Sequence, residues 1–222
     1  VAVAARGIAA AVHIEPLTER FLVPGFNPPG VAYADRFLLD IGRLMTDPGD
    51  QARFVSEVIA TQVGIATAIT PPHFYVEDSD QLGLNVALTR QSIALLESDL
   101  PVRPIVAVSS TFLRQHAGEI ARRYADAGVQ GIELRVSPFG GDNLGPIAVR
   151  RVYEALERLR ESRLHITLGM AGVVGMAALS LNLVDDIASG VAYREQFNYK
   201  SAMSSQRTSD QRDGGGGNPA RV

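Results

Sequence analysis

The chain has 222 residues, 46% of them hydrophobic and 20% charged, which is enough apolar side chain for a buried core and excludes wholesale disorder. A net charge of −3 gives no electrostatic footprint for nucleic acid or an anionic membrane surface. Cysteine is absent, which excludes disulfides, thiolate nucleophiles and cysteine-ligated metals, and no run of about 20 apolar residues is present to span a membrane.

The opening Val1–Ala11 is apolar but short, is broken by Arg6 and Gly7, and carries no basic-then-apolar leader pattern, so a cytoplasmic protein is expected. Ala10–Glu15 reads as a first candidate strand. Residues 16–35, with Pro24, Gly25, Pro28, Pro29 and Gly30, read as an extended loop. Phe37–Ile41 is a second apolar run that contains Asp40. Pro48-Gly49-Asp50-Gln51 then opens a helix running to about Val63, with Phe54, Val55, Val58 and Ile59 on one face.

Ile65–Thr70 reads as a strand, and the Asp78-Ser79-Asp80 cluster starts a second helix carrying Leu82, Val86 and Leu88. Pro104–Ser109 is the next strand. Ser110 or Thr111 serves as N-cap of a third helix, which Gly128 ends. Gly131–Ser137 follows as a strand, and Pro146 begins a fourth helix with a stripe of Val149, Val152, Tyr153, Leu156 and Leu159. Leu164–Gly169 and Asp186–Val191 complete the strands. Between them, Val173–Leu183 is apolar nearly all round and is expected to be buried.

Strands and helices alternating every 30 residues or so predict parallel βα construction. Two architectures fit: a TIM-like (β/α)8 barrel, here with fewer than its eight units, and an open doubly wound parallel sheet. The barrel is preferred because Glu133, Arg135 and Ser137 share one strand face, and an open parallel sheet covered by helices on both faces reads as apolar throughout. Residues 1–200 are read as a single α/β domain, and 201–219 as a flexible polar tail whose Ser204–Asn218 stretch holds no apolar residue.

In either architecture, ligands bind at the carboxyl ends of the strands. This rule nominates Glu133 and Asp40 as acid–base residues and Arg135 and Ser137 as binding residues, with Gly140, Gly141 and Asn143 following before a helix start. The alternative for Glu133 and Arg135 is a buried structural ion pair. Gly172, after Gly169, offers a second anion-binding turn, although the same spacing also serves close helix–sheet packing. His73, Glu77 and Asp78 have side chains suited to a divalent metal, but the chain has no HxH or HExxH spacing and Asp78 has a capping role, so no metal site is assigned. The sequence leaves the identity of any cofactor open. Lys200 is the only lysine, and Tyr193–Lys200 mixes aromatics with charge in the manner of a contact surface.

Together these features favour an enzyme taking a small anionic substrate, either phosphorylated, nucleotide-like or a carboxylate, at the strand ends. A non-catalytic barrel-like domain meeting a protein partner or a second copy of itself is the alternative. A nucleic-acid enzyme with its binding surface elsewhere comes third, because an acidic chain supplies no affinity for phosphate backbones.

Overall fold

The computed structural model of the chain describes residues 12–18, 41–141, 144–189 and 195–201. Six helices and six strands are assigned among them: α1 (Ile41–Thr46), α2 (Pro48–Ala60), α3 (Ser79–Leu95), β1 (Ile105–Ser109), α4 (Ser110–Asp126), β2 (Gly131–Ser137), β3 (Phe139–Gly140), α5 (Pro146–Arg160), β4 (His165–Gly169), α6 (Gly172–Ser180), β5 (Asp186–Ala188) and β6 (Gln196–Phe197).

β1, β2, β4 and β5 form a parallel sheet in that order, and β3 pairs separately with β6 in antiparallel fashion. The register pairs Val106 with Leu134, Ser109 with Ser137 and Glu133 with Thr167. The sheet is extended beyond β1 by the segment before α3. Val76 N–H donates to Ala107 O at 2.8 Å, Ser109 N–H donates to Val76 O at 2.9 Å, and Ile69 bridges Val102 in parallel. Thr67 in turn ties down the early segment by donating its N–H to Val12 O at 2.9 Å.

One sheet face is apolar and covered by helices. Val106, Val108, Ile132, Leu134, Val136, Ile166 and Leu168 share a core with Leu113, Ile120 and Tyr124 of α4 and Leu156 and Leu159 of α5. A second core, of Phe54, Val55, Val58, Phe74, Leu84 and Leu88, joins α2 to α3. α3 serves both cores, because Leu82 and Val86 belong to the first. Its start is fixed by a capping box in which Asp78 accepts from Gln81 N–H at 2.8 Å.

Several expectations need correction. Ile65–Thr70 is not a regular strand: Gly64 adopts φ +83°, the chain turns, and only Ile69 makes a ladder bridge. The run is apolar because Ala66, Ala68 and Ile69 are buried, but they are buried in a turning segment rather than on a ladder. Ile41 begins α1 rather than ending a strand, while Phe37 to Asp40 lie outside the described residues. The N-cap of α4 is Ser109, whose Oγ accepts from Phe112 N–H at 3.1 Å.

α6 is not buried all round. Gly172, Gly175 and Ala178 are buried and Val174 packs against the core, while Val173 and Met176 are 52% and 58% exposed. Small residues lay this helix close to the sheet and push its large ones outward. A Cβ on Gly175 would already lie 2.9 Å from that of Ala171.

The open parallel sheet fits the described residues, and closure into a barrel is not among the contacts they make. Most of the 16–35 loop lies outside them. Thr18, within it, is buried and exchanges hydrogen bonds with the backbone of His73, donating to its O at 2.6 Å and accepting from its N–H at 2.8 Å. Of the 201–219 tail, only Ser201 is described.

Candidate functional site

The sheet face turned away from α4 and α5 is polar. Glu133, Arg135 and Ser137 alternate with the apolar residues of β2 and so project together on this side. Glu133 and Arg135 are each only 8% exposed. Arg135 Nε donates to Glu133 Oε1 at 2.7 Å, and its Nη1 donates to Glu15 Oε1 at 2.6 Å. Two carboxylates on one guanidinium leave the group with a net charge of −1. Burial alone would lower the pKa of Arg135, but the charges and hydrogen bonds of Glu133 and Glu15 outweigh it and raise the value well above the usual arginine range.

β4 makes room for this group. A Cβ on Gly169 would lie 2.6 Å from Glu133 Oε1, so glycine lets the carboxylate sit against the neighbouring strand. Thr167, in register with Glu133, is buried with its Oγ1 unpartnered. His13 lies nearby with its surface largely exposed. Burial lowers its pKa first and the charge of Arg103 adds to this, with Glu133 opposing, so the imidazole is neutral at pH 7.

A cleft of about 370 Å³ opens at the carboxyl ends of β1 and β2. Ser109 and Ser137, paired in register, lie at its base. The first turns of α4, with Ser110, Thr111, Phe112 and Gln115, make one wall, and Tyr75 and Glu77 another. Asn198 and Lys200 close over it. The backbone N–H groups at the start of a helix have no acceptor within it and carry the positive end of the helix dipole. Burial raises the pKa of Tyr75, with Glu77 adding to the effect and a hydrogen bond to Ser137 opposing it, so its phenol stays protonated at neutral pH.

The residues expected from sequence divide accordingly. Glu133 and Arg135 are brought together below the cleft, and Ser137 lines the cleft itself. Gly140 and Gly141, at φ +102° and +70°, lie where β3 crosses β6. Gly141 N–H donates to Glu195 O at 2.8 Å. Gly172 is the first residue of α6, with φ +51° and no side-chain cap before it. Asp40 and Asn143 lie outside the described residues.

His73, Glu77 and Asp78 do not converge. His73 is buried, Glu77 meets Lys200 at 3.4 Å and Asp78 caps α3. Among the described residues no group of three His, Asp or Glu is placed to hold a metal ion. No described helix is long and apolar enough to cross a membrane.

Sequence reasoning missed Thr111 and Tyr75 as cleft residues, although Ser110-Thr111 was read as a helix start, the feature that places Thr111 there. It marked Tyr193–Lys200 as a contact surface, and Asn198 and Lys200 of that segment line the cleft. Compared with known proteins, the chain matches no family model, no curated protein and no solved structure.

Proposed function

We propose that this chain is an enzyme domain that takes a small anionic molecule, phosphorylated, nucleotide-like or a carboxylate, into the cleft above β1 and β2. The observation that carries this reading is the convergence, at the carboxyl ends of two parallel strands, of the α4 N-terminus with Ser110, Thr111, Ser137 and the chain's only lysine. Helix N-termini favour anions through unpaired amides and the macrodipole, and hydroxyls and an ammonium add donors. A volume of about 370 Å³ lies within the range that small ligands use.

In this reading the anion passes from Arg135 to the α4 end and Lys200. Arg135 is already engaged by two carboxylates and repels rather than attracts a third negative group. Glu133 lies four residues before Ser137, about 13 Å along the strand, which is too deep to touch a ligand at the cleft base. Glu15 and Arg135 are roughly one side-chain step, about 7 Å, below it. They set the field under the bound molecule without touching it.

The surrounding fold is proposed to be an arc of a (β/α)8 barrel. Strands in chain order with α4 and α5 on one face support this winding. So does the contact of Glu15 with Arg135. Their segments lie three strand positions apart, about 14 Å on a flat sheet, and a direct contact over one face favours a strongly curled one.

The test is a thermal-shift screen of wild type and Thr111→Asp against phosphate, sugar phosphates, nucleotides and dicarboxylates. An aspartate in the first turn suits the helix dipole, so the variant keeps its fold while repelling an anion. An anion at about 100 times its Kd stabilises wild type by about 2.7 kcal/mol and leaves Thr111→Asp unmoved. If no anion shifts wild type, the reading fails. The exposed Val173 and Met176 on α6 favour the second reading, a partner-binding domain, which a concentration-dependent sedimentation coefficient would support.

A further inference from the structure

The segment Glu195–Ser201 passes over the carboxyl end of the sheet as a strap. Its first hold is the β3–β6 pairing. A Cβ on Gly140 would lie 2.6 Å from Glu195 O and 2.7 Å from Gln196 Cα, so glycine alone permits the two backbones to cross at this spacing. Beyond the crossing, Tyr199 N–H donates to Ser137 Oγ at 3.0 Å, and its ring stacks on Tyr75 with centroids 4.0 Å apart. Lys200 follows, 3.4 Å from Glu77, with side chains 80% and 47% exposed.

We propose that the strap is coupled to the ligand: an anion in the cleft draws Lys200 off Glu77, and the exchange fixes the strap over the bound molecule. This rests on the anionic-ligand reading of the cleft. The Lys200–Glu77 pair is a weak hold, because both groups are solvated and the separation is long. An anion seated on the α4 terminus lies in the same cleft as Glu77 and offers the ammonium a competing negative charge. Glu77 is exposed enough to return to water when released. The backbone crossing at Gly140 and the Tyr75–Tyr199 stack already order the strap, so the ligand has a surface ion pair to exchange rather than a loop to fold. Lys200 and Asn198 are then binding residues delivered by the strap. Gly140 and Tyr199 are positioning residues that act through it.

The single lysine makes this testable, because endoproteinase Lys-C cuts the full chain at one site, within the strap. Digestion is followed by intact mass in the presence of inorganic phosphate or ribose 5-phosphate, with thermal shift measured in the same buffers. The expected result is that the anion which raises Tm also slows cleavage at Lys200, by about tenfold at ten times its Kd. Gly140→Ala is cleaved faster than wild type, and Tyr199→Ala, which leaves the crossing intact, behaves likewise. A raised Tm with an unchanged cleavage rate overturns the coupling and leaves the anion site standing. No Tm shift with any anion overturns both. Cleavage of Tyr199→Ala no faster than wild type overturns the anchoring role of the stack.

Discussion

On β2, Ile132, Leu134 and Val136 enter the core shared with α4 and α5, while Glu133, Arg135 and Ser137, one residue out of phase, face the other way. Both sets are buried, but they contribute differently. Each large apolar side chain removed from water stabilises by about 1.5–3 kcal/mol. The Glu15–Arg135–Glu133 group gains Coulomb energy and loses hydration in comparable amounts, so its net contribution is near zero. One face therefore holds the domain together, and the other keeps charges in a fixed geometry with little return in stability. That asymmetry is why the polar face and the cleft above it are the place to look for function.

The largest expected effect comes from unbalancing the polar face. Arg135→Ala leaves Glu133 buried beside Glu15 without a counter-charge and should cost about 4 kcal/mol in urea unfolding. The triple replacement of Glu15→Gln and Glu133→Gln with Arg135→Met removes all three charges and should recover most of that loss. If Arg135→Ala costs under about 1 kcal/mol, the carboxylates are solvated and the contrast between the faces is weaker than drawn.

Leu156→Ala probes the opposite face. Leu156 is fully buried between α5 and the sheet, and its truncation should cost about 3 kcal/mol with no change in the charge balance of the cleft. Any anion that binds wild type should bind this variant with unchanged affinity wherever it remains folded. Lost affinity at equal folded fraction would show that the two faces are mechanically linked.

How much of this was legible depends on how local the signal is. α5 could be read from Pro146 and its apolar stripe, and β2 from strict alternation, because both patterns record which side of one element meets the core. Pairing Glu133 with Arg135 followed from their spacing on one strand. The third member was legible only in part: Glu15 reads as a carboxylate at the strand mouth for which Arg43 or Arg135 is a partner, but it lies 120 residues from Arg135 and the choice between them rests on the arrangement of the sheet. α6 misled because composition cannot tell a buried apolar helix from one that turns mainly its small residues inward. Gly140 was read as an anion cradle because a glycine pair before a helix start looks the same whether a ligand or another backbone passes it. The strap that passes it lies some 55 residues further along.

The smallest effect is one of pH, and it also belongs to the polar face. Burial, then Arg103, holds the pKa of His13 below the ordinary 6.5, with Glu133 opposing. In the interval between the two values the unfolded chain binds the proton and the folded chain does not, so stability rises with pH. The full contribution is present above pH 6.5 and is lost as pH falls through and below that value. His13 is exposed, so solvent screens the effect and the loss is modest. His13→Gln should flatten this dependence: the fall in urea midpoint between about pH 7.5 and about pH 5.5 should be smaller in the variant than in wild type. Carboxylates titrating lower in the range affect both proteins alike, so the difference between the two curves isolates the imidazole. Parallel curves would mean that His13 is as well hydrated folded as unfolded, and that the polar face admits more water at its amino end than the burial of Glu133 and Arg135 implies.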